Sequence, residues 1–240
     1  MQRAVLTRLH LSASSLKYLA LLAMTADHIA VICRPVPGFR AFGDLAFPLF
    51  AFLLVESFFH TRDRRRYGRR LLLAAAVSEI PYDLAFSGQW MDAQHQNVCL
   101  TLFLALVAME LLERYGNGIW EKLVLTAVFC TLTEAAGADG GAWGMGLVLA
   151  FYFCVIGNSG TNVPRHILFH EKTAGVFMKM IAAVLIGAFV WQEPLWVLAL
   201  TAVCLLLYDG SKGRSRLRSF FYIYYPAHLL ALYFVGKWLG

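Results

Sequence analysis

Charged residues are scarce in this chain of 240 residues, because Asp, Glu, Lys and Arg make up only 15% of it while 59% is hydrophobic. A soluble domain is about half apolar and about a quarter charged. Nine membrane spans of ~20 residues would use about 180 residues and leave about 60 for every loop. The composition therefore excludes a separate soluble domain and predicts one integral membrane domain over residues 1–240.

The sequence also lacks paired cysteines and a signal-peptide cleavage site. Its five cysteines are scattered among apolar runs without a CxxC pair, which argues against a disulfide framework and against a zinc site. No small-residue cleavage site follows the first apolar run, which Asp27 and His28 interrupt, so we expect a retained first helix. The net charge of +6 arises from residues that flank apolar runs, so we do not expect nucleic-acid binding, and without clustered cysteines we expect no bound metal.

Nine apolar stretches predict an all-α, polytopic transmembrane bundle. They lie near residues 16–33, 43–61, 69–87, 97–113, 119–135, 142–157, 174–191, 194–208 and 217–236. With the N-terminus in the cytoplasm, the cytoplasmic side collects all of the 21 basic residues except Arg34, Arg40 and Lys237. This agrees with the positive-inside rule and predicts a cytoplasmic N-terminus and an extracytoplasmic C-terminus.

Ionisable side chains occur inside these spans, although each one costs roughly 2.5–3.5 kcal/mol at the centre of a membrane helix. Most fall in the outer halves of the predicted helices, and Glu56 is the exception that lies towards the cytoplasm. Any one of them is explained equally well by a bond between helices, but the whole set is too large for that role. We therefore expect a polar cavity that opens to the outside and contains Asp27, His28, Asp44, Glu79, Asp83, Asn97, Thr101, Glu134 and His228.

Helical spacing adds detail to this cavity. Glu79 and Asp83 are four residues apart and share one helix face, so the pair suits proton exchange near neutral pH. Asp27 and His28 are neighbours about 100° apart on a helix, so we expect a carboxylate from another helix to orient His28. The four-residue spacing recurs between Asn97 and Thr101 and between Tyr224 and His228.

The glycine-rich run 137–144 contains Asp139 and is expected to form a connection at the mouth of the cavity. Prolines at positions 48, 81 and 226 each leave one helical carbonyl near the predicted cavity without its usual N–H donor.

Five blocks, in order along nearly the whole chain, resemble sequences of the TraX family, the F-pilin N-acetylases. The longest block is DLAFPLFAFLLVESFFHTR at 44–62. The others are TADHI at 25–29, SEIPYDLAF at 78–86, NVCLTL at 97–102 and YPAHL at 225–229. Two positions depart from the family pattern, because Asp44 stands where an Arg is expected and Ser57 where a Gly is expected.

The resemblance implies an enzyme of the bacterial inner membrane that transfers an acetyl group from acetyl-CoA to an amine or hydroxyl, either a peptide N-terminus or a glycan. It gives His28 the role of general base or acetyl carrier, in a catalytic set that also holds Asp27, Asp44, Glu79 and Asp83. The residues expected to bind the acceptor are Asn97, Thr101, His228 and Asp139. Either Asn97 or Thr101 is also expected to donate a hydrogen bond to the oxyanion.

The arginine run at 62–70 fits the phosphates of CoA, because guanidinium groups bind phosphate through paired donors. Arg62, Arg69 and Arg70, with Glu56, are expected to bind this cofactor, whereas arginines 64–66 are expected to face solvent or lipid headgroups. The run is also explained as a topology anchor on anionic lipid.

Two other functions remain open from the sequence. A small proton-coupled transporter would use the same carboxylates as a relay, and a non-catalytic partner in envelope assembly would use them only for packing.

Overall fold

The computed structural model describes residues 10–156, 181, 195–213 and 220–239. Within these residues the regular elements are helices, in agreement with the predicted all-α class. They are α1 (Ala13–His28), α2 (Phe39–Gly43), α3 (Ala46–His60), α4 (Arg64–Phe86), α5 (Val98–Tyr115), α6 (Ile119–Ala135), α7 (Gly141–Ile156), α8 (Leu195–Leu207) and α9 (Phe220–Leu239). Eight of the nine predicted spans coincide with these helices, and the predicted helix 174–191 lies outside the described residues except at position 181.

Side-chain caps set where several helices begin. The Ser12 hydroxyl accepts a hydrogen bond from the backbone N–H of Ser15 at the start of α1. The Asp63 carboxylate does the same for the N–H of Arg66, so α4 begins at residue 64 rather than at 69 as predicted. The earlier start places the arginines of the run from Arg64 onwards on a helix, whereas Arg62 lies before it.

Six helices pack in a closed ring. Going round it, α1 contacts α3, α3 contacts α7, α7 contacts α5, α5 contacts α4, α4 contacts α9, and α9 returns to α1. Helix α6 packs outside against α5 and α7. The centre is apolar and fully buried, with Leu49 and Phe52 of α3, Met109 of α5 and Val148 of α7.

Within the part of the chain that the structure describes, two helical stretches are long and apolar enough, by length and composition, to cross a membrane. They are Ala13–Cys33 and Phe39–His60, and Gly141–Ile156 is apolar but shorter. Since the hydrocarbon core of a bilayer needs ~20 apolar residues, the first two satisfy that length on their own.

Both long stretches are interrupted at polar residues. The α-helical hydrogen bonding of α1 ends at His28, and a π-helical turn follows at Ile29–Cys33. The stretch Phe39–His60 is divided into α2 and α3 by a turn at Asp44 and Leu45, so the helix predicted at 43–61 starts only at Ala46. Such π turns inside helices occur frequently at functional sites.

Candidate functional site

His28 and His228 meet inside the bundle. His28 ends α1 and His228 lies on α9, and each side chain is 7% exposed. Nδ1 of His28 lies 2.8 Å from Nε2 of His228, and the two rings are stacked with centroids 5.0 Å apart. The interaction joins residues 200 positions apart in sequence.

Hydrogen-bond partners define the tautomers of this pair when both rings are neutral. Nδ1 of His228 lies 3.0 Å from the Tyr224 carbonyl oxygen, which is only an acceptor, so this Nδ1 carries the proton. Nε2 of His228 is then an acceptor and receives the N–H of His28 Nδ1. Nε2 of His28 therefore keeps its lone pair, and no described group hydrogen-bonds to it. The sequence predicted a carboxylate in this orienting position, and the structure places His228 there instead.

Aromatic contacts fix both imidazoles. The Tyr224 ring stacks on His228 with centroids 5.0 Å apart, and its hydroxyl lies 2.8 Å from the Thr25 hydroxyl on α1. The Phe86 ring meets His28 edge-on at 5.3 Å. The shared face predicted for Tyr224 and His228 is thus present, and the stacked column links α9 to α1.

His28 lines a cavity of about 260 Å³, which we call the His28 cavity. Three carboxylates from different elements line it too: Asp27 of α1, Asp44 of the α2–α3 turn and Asp139 of the α6–α7 loop. The rest of the lining is mainly apolar, and none of the described lining residues is Lys or Arg. Four residues that the sequence singled out therefore share one cavity, and three of them are acids.

Close approach of α1 and α2 depends on Gly43. A Cβ atom at this position would collide with the backbone and side chain of Asp27. The missing side chain lets α2 lie directly against the end of α1, which brings the following residue, Asp44, to the same cavity as Asp27.

Asn97 and Thr101 support the walls of the cavity and are not among the residues that line it. The Asn97 side chain caps α5 through the N–H of Cys99 and donates to the Glu79 carboxylate. The Thr101 hydroxyl donates to the backbone carbonyl of Asp139 at 2.5 Å. In this structure these two side chains hold backbone and a carboxylate, rather than pointing donors at the cavity.

Glu79 and Asp83 share a helix face as predicted, but that face turns towards residues 92–97 and not towards the His28 cavity. Asp83 is 2% exposed, and its Oδ2 accepts the backbone N–H of Asp92 at 2.9 Å. The other oxygen of each carboxylate, Oε1 of Glu79 and Oδ1 of Asp83, is buried and has no hydrogen-bond partner among the described groups. The physical reason for the orientation is that the α4–α5 connection supplies N–H donors that a buried carboxylate needs.

A second cavity of about 400 Å³ lies at the opposite end of α3, and we call it the Arg62 cavity. Of the residues expected to bind the cofactor, only Arg62 lines it, whereas Arg69 and Arg70 are exposed elsewhere on α4. The described lining consists of Thr61, Arg62, Asp63, Arg64, Arg65 and Glu110.

Arg64 makes tertiary contacts, in contrast to the prediction that it faces solvent or headgroups. Its guanidinium forms an ion pair with Glu113 of α5 and lies 3.8 Å from the centre of the Phe58 ring. Charge clustering in the sequence does not reveal these contacts, because Glu113 and Phe58 lie on two other helices.

Glu56 is 4% exposed and is committed to structural contacts. Its Oε1 accepts from the Tyr208 hydroxyl at 3.1 Å and lies 3.3 Å from Nδ1 of His60. It therefore joins α3 to the end of α8, and it is not among the residues that line the Arg62 cavity.

Comparison with known proteins covers nearly the whole chain. A family model described as TraX protein matches residues 12–236. The "Probable fimbrial assembly protein FimC, serogroup H1" of Dichelobacter nodosus is 29% identical over 239 residues, covering 92% of this chain and 94% of that protein. No solved structure matches the chain. The match to the family model includes every residue of the His28 cavity and also His228.

Proposed function

The chain belongs to the TraX family, and we propose that it is a multi-pass membrane enzyme that transfers an acetyl group from acetyl-CoA to an acceptor held in the His28 cavity. The observation that carries this proposal is Nε2 of His28, an atom with no hydrogen bond to any described group. His28 lines a cavity with three acids, and His228 fixes its tautomer. A histidine held in this way is equipped to act as a general base.

The chemistry requires one proton transfer at each end of the reaction. As the acceptor attacks the thioester carbonyl carbon, Nε2 of His28 takes the proton from the attacking atom. The carbon–sulfur bond then breaks, and the imidazolium returns the proton to the CoA thiolate. His228 accepts the N–H of His28 throughout, so it stabilises the positive charge that develops on that ring.

The charge of the cavity favours an amine acceptor over a hydroxyl. An amine arrives as an ammonium ion, and Asp27, Asp44 and Asp139 attract it through opposite charge. One of these carboxylates takes the first proton and releases it to water, which leaves a neutral amine for attack and restores the carboxylate. Asp44 stands where the family pattern has an arginine, and its acidic side chain adds to the preference for an amine. The name of the relative ties that protein to fimbriae, so a peptide with the N-terminal sequence of a fimbrial subunit is the first acceptor to test.

The donor is proposed to bind from the cytoplasm at the other end of α3. The 15 residues of this helix separate the two cavities by roughly 20 Å at 1.5 Å per residue. The distribution of basic residues supports placing the Arg62 cavity on the cytoplasmic side, with the N-terminus also inside and the C-terminus outside. Arg62 and Arg65 are the proposed phosphate contacts, and the acyl-bearing arm of the donor must reach the His28 cavity. The location is the bacterial inner membrane, and residues 1–240 act as one domain.

The test is turnover by purified protein in nanodiscs, with acetyl-CoA and an amine-terminated peptide. We expect release of free CoA thiol together with an acetylated peptide detected by mass spectrometry. A hydroxyl-capped version of the same peptide should react more slowly. Thiol release without peptide product would indicate another acceptor, and no acetyl-CoA consumption with any acceptor would contradict the proposal. Proton flux in liposomes without acetyl transfer would favour the transporter.

A further inference from the structure

We propose that Asp83 is a positioning residue that anchors segment 87–97, and that this segment in turn holds Asp139 in the His28 cavity. The kinetic consequences rest on the proposed acetyltransferase function, whereas the structural consequences do not.

The anchor is a buried side chain that receives a backbone donor. Helix α4 ends at Phe86, and Gly88 with a φ of +69° turns the chain back on itself, a conformation that favours glycine. The returning backbone N–H of Asp92 then donates to Oδ2 of Asp83 at 2.9 Å. Segment 87–97 is therefore closed onto α4 at the buried carboxylate.

The side chain of Asp92 makes several contacts within segment 87–97. Its carboxylate accepts hydrogen bonds from the Ser87 hydroxyl at 2.5 Å and from the N–H of Gln94 at 2.9 Å, and it lies 3.0 Å from Nδ1 of His95. These three contacts lower the pKa of Asp92 to about 2, so the carboxylate is ionised at physiological pH. The turn that presents the Asp92 N–H to Asp83 is thus fixed on both sides.

The far end of the segment holds the α6–α7 loop. The N–H of Gln96 donates to the carbonyl of Gly137 at 2.9 Å, and the N–H of Asp139 donates to the carbonyl of Gln96 at 2.8 Å. Thr101 completes this arrangement at the Asp139 carbonyl. Gly137 has a φ of +62°, and a Cβ there would collide with the Gln94 carbonyl, so the two segments approach closely. The backbone N–H and the backbone carbonyl of Asp139 are therefore both hydrogen-bonded, and Asp139 lines the cavity.

An anchoring role for Asp83 and a proton-exchange role predict different effects of substitution at this position. Anchoring needs only an acceptor oxygen at position 83, which Asn provides. Proton exchange with Glu79 needs an ionisable group, which Asn lacks. Asp83→Asn and Asp83→Ala therefore separate the two roles.

The structural experiment is amide hydrogen exchange on the full-length protein in nanodiscs, without substrate. In Asp83→Ala we expect exchange at the amides of Gln96 and Asp139 to rise by roughly tenfold, the equivalent of one lost hydrogen bond. Asp83→Asn should exchange like wild type. Asp92→Ala, which keeps the backbone N–H but loses the carboxylate contacts, should loosen the same amides and serves if Asp83→Ala does not fold. Unchanged exchange in whichever of the two variants folds would overturn the proposal.

The kinetic experiment uses the same variants with acetyl-CoA and the amine-terminated peptide. Asp83→Ala should raise the acceptor KM by roughly fivefold or more, with a much smaller change in the acetyl-CoA KM, since one charge contact in the cavity is misplaced. Asp83→Asn should keep the wild-type KM values and pH–rate profile. Equal impairment of Asn and Ala, or an altered pH profile in Asn, would overturn the proposal in favour of proton exchange. If the wild type shows no turnover, the acetyltransferase proposal fails while the exchange data still decide the anchor.

Discussion

Nδ1 of His28 lies 2.8 Å from Nε2 of His228, and this one contact defines which nitrogen of His28 is available to a substrate. The partner imidazole replaces the carboxylate that commonly orients a catalytic histidine. Since an imidazole carries no fixed negative charge, His228 orients His28 without adding a further acid to a cavity that already has three.

His228→Ala should therefore leave His28 in place but release its tautomer. We expect kcat for acetyl transfer to fall by about 10- to 100-fold, less than for loss of the base itself, because the neutral ring then divides between two tautomers and orientations. His228→Asn, whose side-chain oxygen is an acceptor, should recover part of the loss. His10→Ala, at an exposed position, is the matched control and should behave like wild type. Full activity in His228→Ala would remove the pair from the mechanism.

Carboxylate neutralisation tests the preference for a cationic acceptor. Asp44→Asn and Asp139→Asn should each raise the KM for an amine-terminated peptide by roughly three- to tenfold, and the effect should shrink as salt rises. The KM for acetyl-CoA should stay constant in both. Glu121→Gln, an exposed acid in the first turn of α6, controls for general loss of negative charge. An unchanged acceptor KM in both cavity variants would mean that the acids do not bind the substrate.

Gly43→Ala tests the close approach that brings Asp44 to the cavity. The added Cβ meets the backbone and side chain of Asp27, so we expect a loss of ~1–3 kcal/mol in the free energy of unfolding together with reduced kcat. Gly146→Ala is the matched control on α7, where an added Cβ meets nothing within 4 Å. Thermal denaturation in nanodiscs measures both, and equal Tm values for the two variants would contradict the packing described here.

The arginines separate into binding and structural groups. Arg62→Ala should raise the KM for acetyl-CoA about tenfold, since a charge-assisted phosphate contact contributes ~1.5–3 kcal/mol. Arg70→Ala, an exposed residue of the same run outside the cavity, should change this KM little. Arg64→Ala should instead lower Tm, because it loses Glu113 and the Phe58 ring. If Arg62→Ala leaves the KM for acetyl-CoA as unchanged as Arg70→Ala does, Arg62 does not bind the donor and the run serves only as a topology anchor.

Most of the described helices were predictable because apolar runs mark them, and α6 was predicted at the residues where it is observed. The turn at Asp44 and Leu45 was not predicted, because the apolar run was taken to start a helix at Gly43, which placed Asp44 inside its first turn. The sequence likewise singled out His28 and His228 separately. Their pairing depends on how α9 returns to α1, which no local pattern encodes.

For Glu79 and Asp83 the shared helix face was also predictable from the sequence, but their hydrogen-bond partners were not. Spacing correctly placed Glu79 and Asp83 on one face, but it did not indicate what lies opposite that face. The partners are backbone and amide donors from residues 92–97, whose positions depend on a turn at Gly88 and on the network around Asp92.

The role of His28 as the base is tested most directly by the rate of acetyl transfer by His28→Ala in nanodiscs, measured as CoA thiol released and peptide acetylated at saturating acetyl-CoA. We expect kcat to fall by about 100-fold or more, the usual contribution of a general base, while thermal stability stays near wild type. A rate within a few-fold of wild type in the folded variant would show that His28 is not the base, and the proposed mechanism would be wrong.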